Sequence, residues 1–430
     1  MQEVINRKLI GRKKKSDLKY SDELRKFALT IQFYSDKAYR HLRKYFNNLL
    51  PDPRTIRKWY YAVEGNAGFT KQSFEAIRVN FKDKQKPFMC NLVMDEMKIK
   101  EEIVWASDRF YGQVDVGSDL TSQNDNSEKA SYALVLMAVG INTQFKVPLG
   151  YFMIKSLVAE ERANIVEKCL KLLHESGATV TSLTFDGAPS NLAMANRLGA
   201  VTDPLSKNFK SSFPHPVTGD TVFVFLDPCH MLKLMRNALA DHKKIISPDG
   251  NEIQWSYIEK LVEFQQREGL RAANKLTPRH VNYVNNKMSV KLAAHVLSRS
   301  TSDSLKYLQL QNYKDFEGAL ATSQFCLQIN NCFDLLNCKS KFSKLDFSKP
   351  INEETKQDLR EKSLEIISYL AGLKDCDGVK FLKSSRRTGA VGFIICLTNI
   401  FDLYECYHSK GLEYLLTFKI SQDLRLSLAL

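Results

Sequence analysis

The apolar positions near the start of the chain recur with the period of a helix. Leu24, Ala28 and Ile31 fall on one helical face, and similar patterns follow on both sides of a Pro-containing turn at residues 49–53. This spacing predicts helices over residues 22–34, 35–46 and 54–63. A helix, a short turn and a basic helix form the layout of a helix-turn-helix module, although any three-helix bundle gives the same pattern.

Past residue 87 the pattern changes to short apolar runs and partial alternation, which indicates strands. Helical spacing returns between some of these runs and dominates from residue 229 to about residue 385. Strands are predicted over residues 88–94, 110–116, 131–141, 147–154, 180–185 and 221–226. Helices are predicted over residues 159–176, 190–198, 229–239, 255–265, 290–297, 322–336, 356–370 and 388–408, the last with a candidate break at Gly392.

The order of these elements predicts an α/β fold class. Antiparallel strands followed by a strand–helix crossover begin an RNase H-like sheet, and the later helices form a mostly α-helical insertion in it. The expected regions are a basic tail (1–20), a helix-turn-helix-like region (21–86), the first part of the core (87–226), the insertion (227–385) and the last part of the core (386–430).

Positive charge is concentrated at the start of the chain. The 430 residues have a net charge of +14, and residues 1–60 hold 16 Lys and Arg against 6 Asp and Glu. This asymmetry indicates a polyanionic partner, or else a solvated basic tail. No apolar run approaches the ~20 residues of a membrane span, so no membrane partner is expected. Nine cysteines without a CxxC pair fit a reducing compartment better than a disulfide framework or zinc finger.

Two aspartates follow apolar strands that would be neighbours in an RNase H-like sheet. Asp95 follows the run 91–94, and Asp186 follows 183–185. Two adjacent carboxylates repel unless a cation lies between them, and Mg²⁺ or Mn²⁺ suits oxygen ligands. The alternative is that each aspartate caps the turn or helix after it. Asp115, which follows another predicted strand, competes with Asp95 for the first position. Glu96 is expected to be solvated.

A second group of polar residues surrounds the start of the predicted helix at 229–239. Asp227 ends a strand, and Lys233 lies about two turns into the helix. A carboxylate and a cation near a helix N-terminus could bind a nucleotide, with the carboxylate on a purine and the lysine on phosphate. The alternative is a helix cap and a surface lysine. Cys229 and His230 would point apart on a helix and are not expected to bind a metal.

Five short sequence words resemble the P-element family of DNA transposases, which includes the THAP-domain transposases. Together the resemblance runs from about residue 20 to residue 423, nearly the whole chain. The words are residues 94–97 (MDEM), 185–194 (FDGAPSNLAM), 227–233 (DPCHMLK), 291–294 (KLAA) and 417–423 (TFKISQD).

The resemblance implies an RNase H-like DDE nuclease, interrupted by a helical GTP-binding insertion, that cleaves and joins DNA. GTP acts in such proteins as a cofactor for assembling the protein–DNA complex. Asp95 and Asp186 match the first two catalytic, metal-binding carboxylates. Asp227 and Lys233 match contacts to GTP, and Asp423 matches a position near the nucleotide. Asp303 is a further candidate there.

Two departures from the family pattern affect the expected activity. No C2CH pattern of a THAP domain precedes Cys90, and Leu426 stands three positions after Asp423, where the family has its third catalytic Glu. The expectation is therefore a P-element-type transposase that ends before its last carboxylate and is inactive in this form. The alternative is a non-catalytic DNA- and GTP-binding regulator or oligomerisation partner. Double-stranded transposon ends, GTP, a homo-oligomer and a nuclear location are expected.

Overall fold

A computed structural model describes residues 20–60, 65–82, 88–106, 109–117, 128–269 and 274–422. The chain divides into two compact units. One holds the described residues up to 66, and the other holds those from 67 to 422.

The first unit is built from three helices, as the apolar spacing predicts. They are α1 (Asp22–Tyr34), α2 (Asp36–Tyr45) and α3 (Pro53–Tyr60). Ser21 and Ser35 cap the first two, because each hydroxyl accepts a backbone N–H three residues on. Tyr39 is fully buried, and its hydroxyl donates to Pro51 O at 2.7 Å, which fixes the turn before α3.

A seven-stranded mixed sheet forms the centre of the second unit, counted over the described residues. Its strand order is β1-β6-β5-β2-β7-β9-β8, in which β2, β7 and β9 are parallel and the other pairs are antiparallel. These strands are β1 (Gly68–Phe69), β2 (Phe88–Lys98), β5 (Tyr132–Gly140), β6 (Lys146–Ile154), β7 (Ala178–Phe185), β8 (Ser212–Pro214) and β9 (Thr221–Leu226).

Helices cover the sheet and link its parallel strands. They are α4 (Lys71–Phe81), α5 (Ala159–Glu175), α6 (Pro189–Arg197), α7 (Pro228–His242) and α14 (Thr388–His408). The central strand β2 is buried from Phe88 to Met94, as expected for a strand covered on both faces.

Helix α14 is long and apolar enough, by length and composition, to cross a membrane, but 78% of its most apolar window is buried within the unit. It packs against β9 and α7. The candidate break at Gly392 is wrong, because α14 is continuous there. A Cβ at Gly392 would collide with Met231 Sδ, so the glycine allows close packing of two helices.

The region after α7 is mostly helical, as predicted. Its helices are α8 (Ser256–Glu268), α9 (Pro278–Val281), α10 (Val290–Val296), α11 (Arg299–Leu310), α12 (Leu320–Leu336) and α13 (Lys356–Gly372). A small hairpin of β10 (Lys244–Ile246) and β11 (Glu252–Gln254) precedes α8.

Two details differ from the sequence-based expectation. The predicted strand at 110–116 is only partly formed, because β3 (Val104–Ala106) and β4 (Arg109–Tyr111) make a separate two-stranded ribbon. Residues 67–82 were predicted to belong with the N-terminal helices. They pack instead against the sheet, where Phe81 stacks on Phe88 with ring centroids 4.4 Å apart.

Candidate carboxylate site

Three aspartates lie at equivalent positions at the carboxyl ends of the three parallel strands. Val93 pairs with Thr184, and Phe185 pairs with Leu226, so the strand ends are in register. Neighbouring strands lie about 4.8 Å apart, which brings residues at matching positions close together. Continuing the register past these pairs aligns Asp95, Asp186 and Asp227.

Asp95 is half-buried at the end of β2. Its Oδ1 accepts the backbone N–H of Glu96 at 2.9 Å, and no described residue donates to its Oδ2. Burial raises the pKa of Asp95, and the nearby carboxylates of Asp186 and Asp227 raise it further, while His230 lowers it. The two sequence-predicted carboxylates are thus brought together, as a shared cation site requires.

Asp186 is also half-buried, and only one of its oxygens has donors. Its Oδ1 accepts the backbone N–H of Ala188 at 3.0 Å and Nδ2 of Asn191 at 2.7 Å. Among the described residues nothing donates to Oδ2. This arrangement holds the carboxylate at one oxygen and leaves the other for a ligand.

Asp227 differs, because both of its oxygens are occupied and only 1% of the residue is exposed. Its Oδ2 accepts the backbone N–H of His230 at 2.9 Å and lies 2.7 Å from His230 Nδ1. Its Oδ1 accepts the backbone N–H of Gln422 at 3.0 Å. Asp227 therefore caps α7, which is the alternative weighed for it from the sequence, and a guanine could reach it only by displacing one of these partners.

Lys233 is a buried cation beside the three aspartates. It is 6% exposed, and over the described ranges it has no hydrogen-bond or ion-pair partner. Burial lowers its pKa, against the opposing attraction of Asp227, Asp186 and Asp95. The alternative of a surface lysine is thus wrong, and a largely buried lysine whose amine has no partner among the described residues is available for an anionic ligand.

The segment at 417–422 closes the site from one side, which the apolar pattern did not predict. Gln422 Nε2 donates to Met94 O at 2.5 Å, next to Asp95. Thr184 Oγ1 donates to Ile420 O at 2.7 Å. Gln422 Oε1 is buried and has no partner among the residues that the structure describes. The only sequence signal for this contact is the family-like word in this segment.

The other candidate residues have different positions. Asp303 is exposed on α11, and Asp423 lies outside the described residues. Asp115 is exposed and forms an isolated bridge with Met153 on the side of β6 that faces away from β5, about four strand spacings or roughly 19 Å from β7. The geometry therefore favours Asp95 over Asp115 as the partner of Asp186.

The oxygens at this edge fit a divalent cation. Within the described part of the chain Asp95 Oδ2 and Asp186 Oδ2 have no donors and Gln422 Oε1 has no partner, and such oxygens are of the type that hard cations bind. Within the described ranges, however, no three His, Cys, Asp or Glu side chains are grouped closely enough to hold a metal alone. A bound ion would therefore draw on amide, water or substrate oxygens as well.

Glu96 corrects a smaller expectation. It was predicted to be solvated, but its carboxylate pairs with Arg162, whose side chain is buried on α5. Arg162 carried no sequence signal for a role at the site, and Glu96 had only its place in the family-like segment 94–97.

Comparison with known families matches three parts of this chain. Residues 1–59 match a family described as "Transposable element P transposase-like, HTH domain". Residues 65–199 match "TNP-like, RNase H N-terminal domain", and residues 229–350 match "TNP-like, GTP-binding insertion domain". The fold class predicted from the sequence is confirmed: an RNase H-like α/β core with a helical insertion, preceded by a helix-turn-helix-like region.

Individual proteins are similar to this chain over most of its length. The chain is 27% identical to DNA transposase THAP9 of Homo sapiens over 94% of its own length and 45% of that protein. It is 24% identical to the transposable element P transposase of Drosophila melanogaster, over 92% of this chain and 49% of that protein. The Drosophila P element transposase strand transfer complex superposes with a TM-score of 0.73 at 23% identity, covering 94% of this chain and 85% of that chain.

The class that fold and site define is thus an RNase H-like protein with an inserted helical domain. The chain belongs to the P-element transposase-like family. It spans about half the length of the curated relatives that it matches.

Proposed function

We propose that this chain acts as a P-element-type DNA transposase, with Asp95 and Asp186 as the metal-binding carboxylates of its RNase H-like core. The observation that carries the proposal is the pair of half-buried carboxylates on neighbouring strands, each with one oxygen to which no residue in the described ranges donates. Mg²⁺ or Mn²⁺ bound there would activate water and stabilise the leaving oxygen of a phosphodiester.

A metal titration tests this assignment. We expect the full chain to bind Mn²⁺ weakly in isothermal titration calorimetry, because no third acidic ligand completes the site in the described part of the chain. Asp186→Asn keeps the size of the side chain but removes its charge, and it should abolish the binding heat. Indistinguishable titrations of the two proteins would contradict the shared site.

Double-stranded DNA is the proposed partner of the first unit. Arg40, Arg43 and Lys44 on α2, with Arg54 and Arg57 on α3, line a cleft of about 580 Å³. Arg40 pairs with Asp36 and Arg43 with Asp52. Over the described residues Lys44, Arg54 and Arg57 form no ion pair, and they are available to phosphate.

Salt dependence tests this interface. Replacing Arg54, Arg57 and Lys58 by Ala should weaken duplex binding and flatten the dependence of log affinity on log salt by about 2 to 3. Replacing the exposed Lys306, Lys314 and Lys341 of the second unit is the matched control and should change the slope little. An equal change in both triple variants would remove the first unit from the interface.

GTP is the proposed cofactor, near Lys233. The support is the largely buried Lys233, whose amine has no partner among the described residues, because a phosphate would supply an acceptor. A preference for guanine through Asp227 would require the Gln422 N–H to be exchanged for the base. Equal affinities for GTP and ATP would leave Asp227 as a helix cap only.

A second candidate function is non-catalytic. Leu426 stands where the family has its last catalytic Glu, so this chain could bind DNA and GTP as a regulator or as the partner of another copy. Nicking of duplex DNA in Mn²⁺ that is lost in Asp186→Asn would favour catalysis. DNA binding without nicking would favour the regulator. Homo-oligomerisation and a nuclear location are part of both proposals.

A further inference from the structure

Arg162, on helix α5, is a buried cation in the second unit, with 4% of the residue exposed. Its Nε donates to Leu157 O at 3.2 Å. Its Nη1 donates to Asn191 Oδ1 at 3.1 Å and forms an ion pair with Glu96. Because a buried ion pair adds little net stability over apolar packing, stability alone does not explain the pair of Arg162 and Glu96.

Asn191, at the start of helix α6, connects this arginine to the carboxylate site. A guanidinium can only donate, so the amide oxygen of Asn191 must face Arg162 and its Nδ2 must face the other way. That Nδ2 donates to Asp186 Oδ1 at 2.7 Å, beside the backbone N–H of Ala188. The contact with Arg162 therefore fixes which group Asn191 offers to Asp186.

The same arginine also reaches the strand of the other carboxylate. Glu96 follows Asp95 directly on β2, and it pairs with Arg162. Helices α5 and α6 pack against each other, so the connection runs through rigid elements. One guanidinium thus links the residue beside Asp95 to the residue that orients Asp186.

We propose that Arg162 and Asn191 are positioning residues for the metal-binding pair. They hold Asp186 by its Oδ1 and so leave its Oδ2 for the cation shared with Asp95. Without this relay, repulsion between the two carboxylates would turn Asp186 away whenever no cation is bound. The inference rests on the proposed function of Asp95 and Asp186.

Mn²⁺ calorimetry on the full chain tests the relay. Asn191→Ser keeps a polar residue at the start of α6, but its hydroxyl is too short to bridge Arg162 and Asp186. We expect its Mn²⁺ affinity to fall by about 10- to 100-fold, the range typical for loss of residues that orient metal ligands. Arg162→Lys keeps the charge but not the planar fork, and its affinity should fall as well.

A matched control uses the same two helices. Arg197 on α6 and Glu160 on α5 form an exposed ion pair with an N–O distance of 3.1 Å. Arg197→Gln should leave the Mn²⁺ affinity within about twofold of wild type, because an exposed pair contributes little. A loss in this variant equal to that in Asn191→Ser would attribute the effect to helix packing and overturn the relay.

Asp186→Asn separates the relay from the function on which it rests. If Asp186→Asn abolishes Mn²⁺ binding and Asn191→Ser leaves it unchanged, the relay is wrong and the metal site stands. If Asp186→Asn binds like wild type, the metal site is wrong and the relay fails with it. Thermal unfolding identifies variants that do not fold, and Asn191→Ser, which removes no buried charge, still decides if Arg162→Lys unfolds.

Discussion

The carboxyl ends of β2 and β7 differ from that of β9 in how their aspartates are used. Asp95 and Asp186 are half-buried, and each has one oxygen without a donor among the described residues. Asp227 is 1% exposed, and both of its oxygens accept hydrogen bonds. Over the described residues, the same residue type at equivalent strand positions therefore keeps one oxygen open on two strands and forms a structural cap on the third.

The difference arises from what covers each strand end. Helix α7 begins directly at Asp227, and the Gln422 backbone closes its other oxygen. At the end of β2, the Gln422 side chain donates to a backbone carbonyl, Met94 O, and forms no hydrogen bond with the Asp95 carboxylate. Position in the sheet thus places the aspartates, and the covering segment decides which of their oxygens are occupied by hydrogen bonds.

The largest expected effect is on the free energy of unfolding, which should distinguish the capping Asp227 from the open pair, Asp95 and Asp186. Asp227→Ala removes the cap of α7 and leaves buried donors of His230 and Gln422 unpaired. Its free energy of unfolding should fall by about 2–4 kcal/mol in urea denaturation. Asp186→Asn should cost less than about 1 kcal/mol, because its Oδ1 can still accept from Ala188 and Asn191 and the change relieves repulsion from Asp95. Equal losses would remove the distinction.

Nucleotide binding tests the comparison at Lys233, which lies beside the capping Asp227 and beside the open pair. Lys233→Met removes a buried charge that has no partner in the described chain. Its affinity for GTP and for ATP should fall alike by about tenfold, since the amine attracts phosphate and not the base. Fluorescence titration with both nucleotides measures this. A change in the GTP-to-ATP ratio would place Lys233 at the base instead.

The smallest expected effect is the pH dependence of stability at the open pair. Burial and the carboxylates of Asp186 and Asp227 raise the pKa of Asp95 from its ordinary 3.8. An acid whose pKa is raised on folding favours the folded state below its unfolded pKa, and this stability is lost as pH rises through the folded pKa. Asp95→Asn should therefore gain stability relative to wild type as pH rises above 3.8. A difference independent of pH would contradict the raised pKa.

The sequence predicts the strand ends well, because apolar runs that stop at an aspartate mark both the strand and its edge. Asp95 and Asp186 were found in this way, and the structure brings them together. The helix cap formed by Asp227 was one of two interpretations of the sequence, but the closure of its second oxygen could not be predicted, because Gln422 is 195 positions away along the chain. Only the family-like word at 417–423 indicated that this segment matters.

Arg162 shows a second limit of sequence patterns. It occupies the first turn of α5, where an arginine is usually solvated, and the helical spacing there gives no reason to bury it. Its burial follows from Glu96 and Asn191, which lie 66 and 29 positions away. The environment of Lys233 could not be predicted from its own helix either, because the carboxylates around it belong to the ends of three different strands.

Anomalous diffraction from crystals soaked in Mn²⁺ tests most directly whether the open pair is the metal site. We expect a peak between Asp95 and Asp186, about 2.1–2.3 Å from an oxygen of each, and no peak at Asp227, whose oxygens are occupied. The same peak should be absent from crystals of Asp186→Asn. A peak on Asp227, or Mn²⁺ bound away from all three aspartates, would contradict the assignment of Asp95 and Asp186.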